Sequence, residues 1–240
     1  MAGQALAALP DDIVLFINFD EGQGDQLVDH SATKLVLKLV AGKAAWEAGK
    51  NGKAIVLDGS TAFQAEKGGD VAKLKGTISV GAWVKPKAMS GWQNLIEMDA
   101  PAGQRANKGW KTGFNNQRLV WTTYEVKDHF GQGDLQLGKW QHVTYTYDGK
   151  SAKMYIDGKL DKEEPGSGTF DASDKVVSHI DVGWRRTTSS SFFTGSIDEL
   201  WVSNVVKSEA QIRALMDEIS LAVEPSGKAA TTWGAVKGDR

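Results

Sequence analysis

One stretch, KWQHVTYTYDGKSAKMYIDGK (139–159), limits the possible folds more than any other. It holds two strand patterns, WQHVTYTY and AKMYID, joined by DGKS. Asp148-Gly149 favours the positive φ angles of a tight hairpin turn. Asp157-Gly158 closes the second strand, so the chain turns back again in a meander. Val143, Tyr145 and Tyr147 fall on one face of the first strand, and His142, Thr144 and Thr146 on the other. This alternation predicts a sheet that is apolar on one side and wetted on the other.

The same plan recurs in DDIVLFINFDEGQG, GKAIVLDGS and GTISVGAWVKP, each a short β-rich run between turn residues. Gly is abundant at 27 and Pro scarce at 5, which suits many tight turns. One helix stands out, SEAQIRALMDEIS. Ser208 caps its start, Gln211 completes a capping box, and Ile212, Leu215, Met216 and Ile219 form its apolar stripe. Many short strands and one late helix predict an all-β, two-sheet antiparallel sandwich. At 240 residues such a sandwich fits as one domain. The expected organisation is an N-terminal extension (1–10), the sandwich (11–220) and a C-terminal tail or linker (221–240) carrying Trp233.

Composition excludes several classes of function. The net charge of −2 comes without a basic patch, which argues against a nucleic-acid partner. The absence of Cys removes disulfides, thiolate metal sites and Cys nucleophiles. His30, His129, His142 and His179 are scattered, without the spacing of a zinc enzyme. No apolar run is long enough to span a bilayer. The N-terminus lacks the basic and apolar regions of an intact signal peptide, and is expected to follow a removed leader. GKNGKA and EKGGD lack phosphate-loop spacing, and the hydroxyl-rich RRTTSSSFF lacks a nucleophile elbow.

Five segments in order, FINFDEGQGDQLVDHS, GKNGKAIVLDGSTAF, GTISVGAWVKP, LGKWQHVTYTYDGKSAKMYIDGK and FTGSIDELWVSNVVKSEAQI, resemble a bacterial laminin-G-like, concanavalin A-like lectin/glucanase domain. The resemblance covers roughly residues 13–216 and implies a jelly-roll sandwich. It departs from the family at ATKLVLKLVAGKAAWEAG, where a Gly/Asn-rich turn is missing, and residues 90–135 match only loosely.

Asp198 and Glu199 in IDELW pose the chemical question. Consecutive side chains on a strand point to opposite faces, so these carboxylates are not expected to reach one sugar. A glycosidase needs two carboxyls about 5–5.5 Å or about 6.5–9.5 Å apart. Catalytic relatives on this fold carry a Glu-x-Asp-x-x-Glu run, which is absent here. The resemblance implies a structural Ca²⁺ ion near Asp20, Asp29 and Asp198; the alternative is that these acids cap turns by accepting backbone N–H groups.

Aromatic residues suggest recognition. Trp83, Trp140 and Trp201 lie inside strand patterns and are expected to pack. Trp92, Trp110, Trp121, Tyr124, Phe130 and Trp184 lie in or near the variable segments, with Arg105, Asn115, Asn116, Arg118, Arg185 and Arg186 near them in sequence. Trp92, Trp110, Tyr124, Arg118, Trp184 and Arg185 are the candidate ligand-binding residues, for a glycan or for a protein surface. The expected role is non-catalytic recognition of a glycan or cell-surface polysaccharide, outside the cell or at its surface. A structural or adhesive protein that binds itself or other surface proteins comes second, and a glycoside hydrolase third.

Overall fold

The computed structural model describes residues 9–100, 108–173 and 179–218. Two antiparallel sheets enclose one large apolar core. With strands numbered along the chain, the first sheet runs in space β14 (Lys159–Pro165), β13 (Ser151–Ile156), β12 (Gln141–Tyr147), β7 (Ile78–Pro86), β16 (Thr194–Ser203), β5 (Lys53–Asp58), β4 (Ala45–Ala48), with β1 (Ile13–Ile17) also on β16. The second runs β11 (Lys127–Phe130), β10 (Arg118–Thr123), β9 (Gly109–Asn115), β8 (Trp92–Asp99), β15 (Ile180–Val182), β6 (Ala62–Ala65), β3 (Val36–Ala41), β2 (Gln26–Val28). The predicted all-β sandwich is therefore the observed one.

The predicted meander is β12–β13–β14. Asp148 Oδ1 accepts the N–H groups of Lys150 and Ser151 in its first turn, at 2.9 and 2.7 Å. Gly149, Asp157 and Gly158 take the positive φ values of 80°, 50° and 68° that such turns need. Val143, Tyr145 and Tyr147 enter the core, where Tyr147 stacks on Trp121 at 5.1 Å. The opposite face of β12 is not wetted, contrary to the alternation pattern: His142, Thr144 and Thr146 are all buried. His142 packs edge-on against Trp83 at 5.3 Å, and burial pushes its pKa down to about 3.

Helix α1 (Glu209–Glu218) starts at the predicted capping box. Gln211 N–H donates to Ser208 Oγ at 3.3 Å, and Ser208 N–H donates back to Gln211 Oε1 at 2.9 Å. Leu215 from its apolar stripe joins Ile13, Phe16 and Trp201 in a second, smaller core outside the first sheet. Gly81 permits this packing, since a Cβ there would stand 2.3 Å from the Trp201 ring. Ile219, Trp233 and the expected tail at 221–240 lie outside the described residues.

Candidate functional site

The outer face of the second sheet carries a polar row that crosses seven strands. In register it reads Lys38, Gln64, Asp181, Glu97, Lys111, Thr122 and Asp128. Gln64 Nε2 donates to Asp181 Oδ1 at 2.7 Å, and Thr122 Oγ1 donates to Asp128. Asp99 follows Glu97 two residues on and shares its face. A bulge at Leu95 makes the row possible. It lets Trp92 and Asn94 face outward, then shifts the alternation so that Glu97 and Asp99 face outward too.

The segment 184–188 lies over this row. Arg186 N–H donates to Glu97 Oε1 at 3.1 Å, and Arg186 Nε donates to Asp181 Oδ2 at 3.3 Å. Thr187 Oγ1 donates to Asp99 Oδ2 at 2.6 Å, and Arg185 stands 3.8 Å from the same oxygen. Tyr124 donates to Glu97 Oε2 at 2.5 Å. Glu97, Asp99 and Asp181 are completely shielded. Burial, reinforced by Asp99 and Asp181, pushes the Glu97 pKa up to about 8; burial also takes Asp181 up to about 6. Asn94 Nδ2 donates to Glu97 Oε2 at 2.6 Å and to Trp184 O at 3.4 Å.

The candidate ligand residues divide between this row, a groove beside it and the core. Lys111 Nζ lies 4.3 Å from the Trp92 ring and 5.9 Å from the Tyr124 ring, and Arg185 caps Tyr124 at 5.3 Å. Trp92, Tyr124 and Arg185 are thus brought together, although Tyr124 is only 3% exposed. Trp184 is half-buried against Phe192 at 5.7 Å. Trp92 meets Phe130 at 5.9 Å; each is 37% exposed. Phe130 borders a groove of about 400 Å³ at the β9–β10 turn, with Asn115, Asn116, Gln117, Arg118 and Asp134.

Trp110 does not belong to this surface. It is fully buried and stacked on Trp121 at 5.8 Å, so its predicted ligand role gives way to core packing. The signal was present in GWKTGFN, where Trp110, Thr112 and Phe114 alternate with Lys111 and Gly113. Arg105 lies outside the described residues. Lys111, Glu97 and Asp181 were missed because their common face depends on the Leu95 bulge and on long-range register.

A second group of acids sits where the first sheet splits. Residues Thr194–Ile197 of β16 pair with β5, and Leu200–Ser203 pair with β1 along the same edge. Between them the strand bulges against β7, and Glu199 takes φ 51°. The regular alternation from which divergence of Asp198 and Glu199 was expected is therefore broken here. Burial, then Asp198 and Asp20, push the Glu199 pKa up to about 9. Burial takes Asp198 up to about 7, with Asp20 adding to the rise.

Of the predicted ion ligands, Asp20 and Asp198 meet at this split and Asp29 does not. Asp29 accepts N–H groups from Phe16, Ser31 and Leu35 and the Ser31 hydroxyl, at 3.0, 2.8, 3.2 and 2.8 Å. Four donors fill its carboxylate, which ties a turn and leaves nothing for a cation. Asp20 accepts Lys53 N–H at 2.7 Å and Asn18 Nδ2 at 3.2 Å, and Asp198 accepts the N–H groups of Asn51 and Glu199, each at 2.9 Å, so both keep fewer donors than Asp29. Glu199 Oε2 is buried without a partner. A Cβ at Gly49 would stand 2.6 Å from each of Asn51 O, Lys53 O and Asp198 Oδ2, so carbonyls and a carboxylate converge there. Among the described residues no three His, Cys, Asp or Glu form a ready metal-ligand set. A cation here would draw on carbonyls as well, as Ca²⁺ does. The donor set fits such an ion.

Known proteins match this architecture. Domain 4 of AbnA, a GH43 extracellular arabinanase from Geobacillus stearothermophilus in complex with arabinotriose, superposes with TM-score 0.66 at 20% identity, over 85% of this chain and 98% of that one. The binding domain of botulinum neurotoxin serotype G gives 0.63 at 19% identity, over 85% and 50%. Botulinum neurotoxin type C, whose cell entry depends on interaction with two ganglioside molecules, gives 0.62 at 16%, over 88% and 51%. The chain spans about half of each toxin structure, and likeness at these identities speaks to the fold. No helix among the described residues is long and apolar enough to cross a membrane. The Laminin_G_3 model matches residues 57–213, more than half of the sequence, and the chain therefore belongs to this family of the concanavalin A-like lectin/glucanases superfamily.

Proposed function

We propose that the domain is a non-catalytic, extracellular recognition module that binds glycans on the outer face of its second sheet, at the β9–β10 turn. The carrying observation is the exposed Trp92–Phe130 pair beside a groove walled by amides, Arg118 and Asp134. Aromatic faces with a few polar hydrogen-bonding groups suit a sugar ring. Matching folds that handle arabinotriose and gangliosides support the reading. On a glycan array, the wild type should bind at least one class of spot. Trp92→Ala should lose tenfold or more of that affinity at an unchanged melting temperature. Undiminished binding by Trp92→Ala would place the site elsewhere.

A structural Ca²⁺ ion at the sheet split is part of the proposal, with Asp20 and Asp198 as ligands and Glu199 as the third acid in place of Asp29. It would hold the ends of β1 and β5 against β16, away from the groove.

Two other functions retain specific support. Val28, Val36 and Val40 are exposed on edge strand β2 and its neighbour β3, as an adhesive protein surface requires; concentration-dependent sedimentation would favour that role. Glu97 and Asp181, with raised and separated pKa values, have the character of an acid–base pair. They are sealed beneath Arg186, so turnover of a soluble β-glucan that vanishes in Glu97→Gln is needed to establish hydrolysis.

A further inference from the structure

We propose that the sugar taken by the β9–β10 groove is neutral and is gripped through a vicinal pair of hydroxyls, an inference that rests on the glycan-binding function proposed above. The charged residues lining the groove are Arg118 and Asp134, one of each sign. They pair loosely, Arg118 Nε to Asp134 Oδ1 at 3.5 Å, with side chains 58% and 60% exposed. Both Arg118 Nη groups and the second Asp134 oxygen have no partner among the described residues. The groove therefore presents donors and an acceptor side by side with no net charge.

A vicinal diol complements that arrangement. Each hydroxyl both donates and accepts, so one donates to the carboxylate while its neighbour accepts from the guanidinium. A carboxylated or sulfated sugar cannot donate from its anionic oxygens, and it would bring a second negative charge against Asp134.

The amides reinforce the selection. Asn116, at φ 52° in the turn, accepts Gly91 N–H at 3.0 Å and donates to Asn115 Oδ1 at 2.9 Å. Asn116 is thus occupied in holding Asn115, whose Nδ2 remains a fixed donor. Such preorganisation lowers the entropic cost of gripping a hydroxyl. Trp92 and Phe130 supply apolar rings for the C–H face of an uncharged sugar.

The test is an array printed with neutral arabino-, xylo- and gluco-oligosaccharides beside uronate-containing, sialylated and sulfated glycans. Duplicate spots are treated with mild periodate, which cleaves vicinal diols. The wild type should bind neutral spots only and lose them after periodate. Asp134→Asn and Arg118→Gln should each weaken binding about tenfold at an unchanged melting temperature; both residues are exposed, so folding is not at stake. Preference for acidic spots, or a gain in binding by Asp134→Asn, overturns neutrality while leaving glycan binding in place. Retention after periodate overturns the diol grip. Binding to no spot overturns the glycan-binding reading itself.

Discussion

Two groups of carboxylates lie on different sheets and are balanced in different ways. On the second sheet, Glu97, Asp99 and Asp181 are met by Arg185, Arg186 and Thr187 from one covering segment. At the split of the first sheet, the buried Asp198 and Glu199 lie within electrostatic reach of the exposed Asp20, and none of the three forms an ion pair among the described residues. Burying like charges without compensation is costly. The first group is closed by the chain's own cations. The second has no such cation paired with it among the described residues, and the proposed Ca²⁺ ion would supply one from solution. Similar residues would then serve as a latch in one place and as an ion site in the other.

The strongest way to break this contrast is to remove the internal cation. Arg186→Ala should destabilise the domain by about 3–5 kcal/mol, the usual cost of leaving a buried charge without its partner. Urea denaturation reads this directly. Adding Asp181→Asn should recover much of the loss, because the uncompensated carboxylate is then gone. A cost near zero for Arg186→Ala would mean that the covering segment neutralises nothing.

The sheet split should respond to an added cation instead. Ca²⁺ at a hundred times its dissociation constant would stabilise the fold by about 2.7 kcal/mol. For a domain of this size that corresponds to a rise in melting temperature of roughly 5–10 °C. Chelator should reverse it. Glu199→Gln and Asp198→Asn should abolish the response, whereas Asp29→Asn should lower the baseline melting temperature and keep the response. A wild type indifferent to millimolar Ca²⁺ and to chelator would remove the ion from this site.

The legible part of the fold was what local pattern determines. Asp148-Gly149, the Ser208–Gln211 capping box and the alternation of β12 each act within a few residues, and each appears where the sequence places it. The sites depend on breaks in that pattern. The Leu95 bulge sets Glu97 and Asp99 beside Asp181, which is far along the chain. The bulge at Glu199 breaks the strand alternation behind the rule that adjacent residues diverge, and its two acids lie near Asp20 from a second segment. Trp110 is a different kind of miss, since its alternation with Lys111 and Gly113 already marked it as inward. The wetted outer face expected of β12 failed because helix α1 and Trp201 cover part of that sheet, a tertiary event without a local signature.

The finest discrimination between the two groups comes from pH. Glu97 has a folded pKa of about 8, well above the ordinary Glu value near 4.3 that the unfolded chain shows. The folded state therefore holds a proton that the unfolded state has released. Stability from this proton is fully present below the unfolded pKa and is lost as pH rises through the folded one. Under the proposed Ca²⁺ binding, a saturating ion would hold the split acids ionised, and the window from pH 7 to 8 would isolate Glu97, Asp181 having titrated near 6. Stability there should fall by at most about 1.4 kcal/mol per pH unit, the slope of one proton. Glu97→Gln, which keeps the shape and cannot ionise, should flatten the slope without touching the calcium response. A slope that survives in Glu97→Gln would assign the proton to another group, and Glu97 would then stand ionised, held by the Arg186 N–H and the Tyr124 hydroxyl.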